Sequence, residues 1–287
     1  MPRRSVLFTP ADSPDMLRSA PETGADVLVF DLEDGVGPGD KDGAREVIRE
    51  VVPDIDVGGE LWLRVNDRPE LLEADAGLLR EEAVVAALDG VVVPKATGPD
   101  AVERVANRYP DEVDLSVLAL VENARGVLRV EAIADAPAVD ALLFGGEDLA
   151  GDAGLTRTEG SEELLYARQR TALAAAAAGV DAIDGIYTDI RDTEGLRAAA
   201  ETALQFGYDG KTLIPPGQVN PVNDVFTPSE EETEWARRVV AAAAEREDGV
   251  FMLDGELVEA PIRKQAERTL ERAGEPVPGE DSESGAE

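Results

Sequence analysis

Short runs of β-branched and aliphatic residues punctuate the chain at 5–9, 27–31, 61–65, 90–94, 115–121, 141–144, 182–187 and 211–214. They are apolar almost throughout rather than alternating, as parallel strands covered on both faces are. Between them lie amphipathic or alanine-rich stretches with helix signals. Ser13-Pro14 reads as an N-cap followed by proline at the first helical position. Segments 42–52 and 73–87 carry apolar residues at helical spacing; 161–178 opens on Ser161-Glu162-Glu163 and closes at Gly179, and 193–206 closes at Gly207. Eight such units predict an α/β fold, a (β/α)8 TIM barrel, which typically needs roughly 250 residues. A doubly wound open sheet would want a Gly-x-Gly-x-x-Gly turn after the first strand, and Phe8-Thr9-Pro10-Ala11-Asp12 is not one.

Beyond Phe226-Thr227-Pro228, a helix over 229–247 would complete the last unit, followed by a hairpin over 249–259 around Asp254-Gly255 and a helix over 261–273. The expected organisation is a catalytic barrel over 1–248, a lid or oligomer-contact extension over 249–274, and a disordered acidic tail over 275–287.

Charge narrows the partners. The chain has 287 residues with 61 acidic and 27 basic ones, a net charge of −34, and its lysines are only Lys41, Lys95, Lys211 and Lys264. Such a surface repels the polyanions of nucleic acid and anionic membranes. It also repels itself unless salt screens it, and at molar salt the Debye length falls to about 3 Å. The composition therefore predicts a cytoplasmic protein adapted to high internal salt. Segment 5–8, which follows Arg3-Arg4, is too short for a signal-peptide core, and no apolar run approaches membrane-spanning length.

The chain holds no histidine and no cysteine. Thiolate and imidazole metal sites, Ser-His-Asp triads, cysteine nucleophiles, haem and iron–sulfur ligation are excluded. Any metal must be held by oxygen, which selects Mg²⁺, Mn²⁺ or Ca²⁺. Proton transfer falls to Asp, Glu, Lys, Tyr or water polarised by arginine.

In a barrel the chemistry sits at the carboxyl ends of the strands. Those ends read Asp31-Leu32-Glu33-Asp34, Arg64-Val65-Asn66, Pro94-Lys95, Glu122-Asn123, Gly145-Gly146-Glu147-Asp148, 184–189 and Pro215-Pro216-Gly217-Gln218. Carboxylates that converge on one small mouth repel unless a cation or protons intervene. Glu122 and Asp148, at the ends of adjacent strands, are the natural pair for a divalent ion, with Glu33 and Asp34 behind them. The competing reading makes some of these acids salt-bridge partners of Arg64 and Lys95 at the rim. Lys95 could form a Schiff base, although neighbouring acids would keep its amine protonated. Gly210-Lys211-Thr212 is not a P-loop, because position 205 is glutamine and a strand follows. Tyr187 and Tyr208 read as rim packing, and 174–178 as a tightly packed helix.

Taken in order, the motifs Arg4-Ser5-Val6-Leu7-Phe8, Asp31-Leu32-Glu33-Asp34-Gly35-Val36 with Lys41 and Ala44-Arg45, Arg64-Val65-Asn66, Pro94-Lys95 and Val121-Glu122-Asn123-Ala124 form a specific set. They continue through Phe144-Gly145-Gly146-Glu147-Asp148-Leu149, Ala182-Ile183-Asp184-Gly185 and Gly210-Lys211 to Phe226-Thr227-Pro228-Ser229. From Arg4 to about Phe226 the chain resembles the citrate lyase β-subunit/malyl-CoA lyase family of the HpcH/HpaI aldolase group. The resemblance implies a Mg²⁺-dependent lyase, with Mn²⁺ as a possible substitute, acting between a 2-oxo acid and an acyl-CoA. It implies Glu122 and Asp148 as metal ligands, Glu122 also facing the substrate, and Arg64 at the carbonyl and enolate oxygens. Backbone N–H groups near Gly146 and Glu147 would bind the substrate carboxylate, and Asp34 would act beside the metal site. Glu259 stands where relatives place an acid/base aspartate on a neighbouring subunit's lid, and the resemblance implies a homo-oligomer, a trimer or hexamer. The family's Ile-His-Pro is here Ile214-Pro215-Pro216. Two other functions fit the residues: a lysine Schiff-base aldolase using Lys95 or Lys211, and a non-catalytic subunit that binds an acid or CoA.

Overall fold

A computed structural model describes residues 2–108, 116–246 and 249–277. Eight parallel strands close into a barrel in chain order: β1 (Ser5–Pro10), β2 (Val27–Asp31), β3 (Glu60–Arg64), β4 (Gly90–Val93), β5 (Ser116–Val121), β6 (Val139–Phe144), β7 (Asp181–Asp184) and β8 (Gly210–Leu213), with β8 paired to β1. The expected TIM barrel is the observed fold. Around it run α1 (Pro14–Ser19), α2 (Lys41–Val51), α3 (Pro69–Leu78), α4 (Glu82–Val85), α5 (Pro99–Ala106), α6 (Ala124–Leu128), α7 (Val130–Ala134), α8 (Gly146–Ala153), α9 (Leu165–Ala178), α10 (Thr193–Gln205) and α11 (Val219–Phe226).

The all-apolar strands follow from burial on both faces. Val6, Phe8, Val27, Val29, Trp62, Val92, Leu118, Leu120, Ala141, Leu143 and Ile183 form one buried cluster. The alternate positions Leu7, Leu28, Leu63, Val91, Ala119 and Leu142 are buried as well. Gly90 makes room for the largest of these side chains, because a Cβ there would stand 2.3 Å from Trp62 Cζ3. Arg3 closes the amino-terminal pole of the barrel. Its guanidinium bonds Glu60 (2.9 Å), Asp181 (3.1 Å) and Asp140, and lies over the Trp62 ring. The opposite pole is left for chemistry.

Several local expectations change. The helix expected over 73–87 is two helices, α3 and α4, separated by turns in which Arg80 and Glu81 donate to Gly77 O and Leu78 O. Neither Ser13 nor Ser161 caps a helix through its side chain. Ser161 instead has φ +56°, and its hydroxyl accepts from Arg157. The seventh strand stops at Asp184 rather than 187, and Leu115 lies outside the described residues.

The chain divides into two compact units, Arg3–Asn223 and the residues from Asp224 onward. In the second, α12 (Glu230–Ala244) opens with a capping box between Ser229 and Glu232. Its buried face, Ala236, Val239 and Val240, packs with Ala266 and Leu270 of α13 (Ala260–Arg272) and with Val258 of a hairpin. The hairpin strands are β9 (Phe251–Leu253) and β10 (Glu256–Val258), joined through Asp254 and Gly255 at positive φ. The helix expected to complete the last barrel unit thus spends its apolar face within the C-terminal unit, and the division falls near 223 rather than 248. Of the expected tail, Glu275 pairs with Arg237 and Val277 packs on the same cluster; 278–287 lie outside the described residues.

Candidate active site

At the carboxyl pole, adjacent strands deliver their last residues to one place. The register sets Asp31 at the end of β2 beside Arg64 at the end of β3. Asp31 takes the guanidinium in two bonds of 2.7 and 2.6 Å, and accepts the N–H groups of Glu33 (2.7 Å) and Gly35 (2.8 Å). Arg64 also lies 5.0 Å from the Phe8 ring centroid, with Glu33 3.4 Å from its remaining nitrogen. A charged plane held on three sides is a fixed one. Lys41 secures the loop after β2, donating to Leu32 O at 2.7 Å and to Glu33 O. Buried Asp75 ties the loop after β3, accepting from Arg45 (2.7 Å) and from the backbone and side chain of Asn66 (both 2.8 Å).

Glu122 directly follows β5 and is 2% exposed. Its Oε1 accepts the Lys95 backbone N–H at 2.7 Å. Asp148 lies in the first turn of α8, which starts directly after β6, the neighbour of β5. Gly145 permits that approach, since a Cβ there would come within 2.4 Å of Glu122 Cβ. Burial, reinforced by the charge of Asp148, pushes the Glu122 carboxyl up to about 8, against the opposing pull of the Lys95 N–H and Arg64. Both acids line one cleft of about 830 Å³, together with Lys95, Asn66 and Arg125.

The donor set fits a hard cation. Two carboxylates that resist simultaneous ionisation are what a divalent ion relieves, and Mg²⁺ commonly takes one or two protein carboxylates, keeping its other positions for water and substrate. Among the described residues no group of three or more acidic side chains could hold a metal, so Glu122 and Asp148 would serve as a pair. The first-turn N–H groups of Gly146 and Glu147 have no partner inside α8 and face an anion favourably. The Glu147 side chain itself is engaged by Arg157 at 2.8 Å.

The acids behind the pair behave as rim salt-bridge partners. Lys95 Nζ bonds Glu33, and Asp34 Oδ2 lies 3.4 Å away. Although burial opposes it, these acids raise the Lys95 amine above the ordinary lysine range. Lys211 is buried with its Nζ on Asp184 Oδ2 (2.5 Å) and Gly185 O. Burial lowers the Lys211 amine from the ordinary lysine range against the pull of Asp184, but both lysines are engaged by neighbouring acids, whereas Schiff-base chemistry needs a free amine. Tyr208 is buried, donating to Arg168 O at 2.7 Å, whereas Tyr187 bonds Asp192.

The sequence profile of the HpcH/HpaI aldolase/citrate lyase family matches residues 4–216. The chain belongs to that family. Mitochondrial citramalyl-CoA lyase of Homo sapiens is 32% identical over 94% of this chain and 85% of its own length. The (3S)-malyl-CoA thioesterase of Cereibacter sphaeroides (strain ATCC 17029 / ATH 2.4.9) is 35% identical over 95% of each chain. Among solved structures, protein CitE from Mycobacterium tuberculosis in complex with magnesium, acetoacetate and coenzyme A aligns with TM-score 0.78. It is 34% identical, with 96% of this chain and 99% of that chain covered.

Of the residues expected from the family pattern, the barrel unit gathers Arg64, Glu122, Gly146, Glu147, Asp148 and Asp34 at its carboxyl pole. Glu259 belongs to the other unit, at the N-cap of α13, exposed and without a cap bond. Asp31 was not among the expected site residues; the pairing of the β2 and β3 ends is the signal that could have shown it holding Arg64. Nothing in the residue types marked the Arg168–Asp184–Lys211 cluster.

Linkage gives a test of the acid pair. A carboxyl whose folded pKa exceeds its unfolded value retains its proton longer when folded, so stability is highest below the unfolded value and falls as pH rises through the folded one. Metal-free protein should therefore lose thermal stability between about pH 4.5 and 8 through Glu122. Millimolar Mg²⁺ should flatten that slope in melting curves recorded at constant high salt, and an unchanged slope would refute the pairing.

Proposed function

We propose that the protein is a Mg²⁺-dependent carbon–carbon lyase of the citrate lyase β-subunit type. It cleaves or forms a malyl-CoA-like thioester (malyl-CoA, β-methylmalyl-CoA or citramalyl-CoA), giving a 2-oxo acid such as glyoxylate and an acyl-CoA. The observation that carries this reading is the buried Glu122 carboxyl, raised beside Asp148 at the same pole as a clamped Arg64. The names of the relatives, and the magnesium, acetoacetate and coenzyme A in the CitE structure, support it.

Glu122 and Asp148 would hold the metal, Mg²⁺ or Mn²⁺, which when bound supplies Lewis acidity to the substrate's hydroxyl and carbonyl oxygens. The Gly146 and Glu147 N–H groups orient the 2-oxo acid carboxylate. As the hydroxyl gives up its proton to a carboxylate of the site and becomes the 2-oxo carbonyl, the C–C bonding pair stays on the thioester as an enolate, whose oxygen Arg64 stabilises without surrendering a proton. The enolate carbon then takes a proton. Glu259 is the donor we assign, acting in a neighbouring subunit of a homo-oligomer, with Asp34 beside the metal site. The engaged amines of Lys95 and Lys211 disfavour the Schiff-base route.

In molar KCl, purified protein should condense glyoxylate with acetyl-CoA only when Mg²⁺ or Mn²⁺ is present, as followed by chromatography of the CoA thioesters. Full activity in EDTA, or borohydride trapping of a lysine adduct with pyruvate, would overturn the mechanism.

A further inference from the structure

Lys95 follows the end of β4 with φ +51°, a left-handed conformation that is strained for a residue bearing a Cβ. It is not a glycine or asparagine, and nothing about the turn alone calls for a lysine. Strain of this kind persists where the surroundings over-determine it, and it clusters at functional sites.

This conformation is compatible with opposite engagements for the two ends of one residue. The backbone N–H donates to Glu122 Oε1 at 2.7 Å. The ammonium bonds Glu33 and faces Asp34 at 3.4 Å. Glu33 is itself 3.4 Å from the Arg64 guanidinium and accepts the Asp34 N–H at 2.9 Å. One residue therefore bridges Glu122 after β5 and Glu33 after β2, the latter also facing Arg64. Without the ammonium, Glu33, 3% exposed, would keep Arg64 as its nearest compensating cation and draw the guanidinium from its place on Asp31.

We propose that Lys95 is a positioning residue that sets the Glu122 carboxylate and the Arg64 guanidinium relative to each other. The proposal rests on the lyase reading, in which those two groups act.

Lys95→Gly, Lys95→Met and Lys95→Arg test it in the full-length protein. Glycine keeps the backbone N–H and tolerates positive φ; methionine keeps the stem without charge; arginine restores a cation. Mn²⁺ binding, followed by electron paramagnetic resonance, should stay within about threefold of wild type in all three, because each retains the N–H to Glu122. The condensation kcat should fall roughly 10–100-fold in the Gly and Met variants, the scale of a small misplacement of a reacting group, and recover at least partly with Arg. Wild-type kcat in Lys95→Met would overturn the proposal, as would equal losses of kcat and Mn²⁺ affinity across the three. Should wild-type protein bind no Mn²⁺, the lyase reading fails first and this inference falls with it; binding by wild type with undiminished turnover in the variants removes this inference alone.

Discussion

Glu122→Gln is expected to abolish metal-dependent turnover, by roughly 10²–10³-fold or more, while making the metal-free protein more stable at alkaline pH. Glutamine preserves the acceptor for the Lys95 N–H but removes a charge the fold holds reluctantly, buried and beside Asp148. The loss in rate has the size of removing one preorganised electrostatic group from a site. The gain in stability has a definite sign. Above about pH 8 the wild-type carboxyl is ionised at a cost, whereas below about pH 4.5 it is protonated in both states, so the variant's advantage should vanish there. Asp148→Asn should show the same loss of turnover, because it removes the second acid of the proposed pair. Mn²⁺ titrations and melting curves at pH 5 and 9 check both halves. Retained turnover in either variant would contradict the ligand assignment, and a Gln variant less stable than wild type at pH 9 would contradict the electrostatics.

The second large effect concerns stability alone. Asp184 is fully buried and accepts from Arg168 in two bonds (2.7 and 2.8 Å) and from Lys211 at 2.5 Å. Burial opposes its ionisation, but the charges of Lys211 and Arg168 outweigh it and hold the carboxyl below the usual range. Asp184→Ala leaves two cations facing each other without their counter-ion. Removing one partner of such a group typically costs about 3–5 kcal/mol, which for a chain of this size lowers the melting temperature by on the order of 10 °C. Mg²⁺ affinity per folded molecule should be unchanged, since the cluster joins Asp184 of β7, Lys211 of β8 and Arg168 of α9, whereas the acid pair follows β5 and β6. A melting temperature within a degree or two of wild type would show that the cluster is replaceable.

Much of the fold was legible in one dimension. A parallel strand covered on both faces needs apolar residues at both parities, so the eight runs marked themselves, and their number selected the barrel. Residues terminating those runs were candidates for chemistry because a barrel presents strand ends at one pole; Glu122, Asp148 and Arg64 followed from that rule. Local grammar proved less dependable. Ser161 carries a cap signal and caps nothing, its hydroxyl taken by Arg157 across the loop. The helix α12 has a well-formed start, yet residue type says nothing about whether its apolar face meets the barrel or α13.

The unbroken apolar runs by themselves determined that eight strands would be buried on both sides. The absence of histidine and cysteine determined that any metal must be gripped by oxygen. The family resemblance added the roles the strand-end acids would take. Only closure of the barrel decided that Asp31 clamps Arg64, that Lys95 adopts a left-handed turn between Glu122 and Glu33, and that Asp184 collects two cations. The reason is distance. Hydrogen bonds and ion pairs act over a few ångströms, and residues 27 to 62 positions apart come within that reach only after the strands have taken their register.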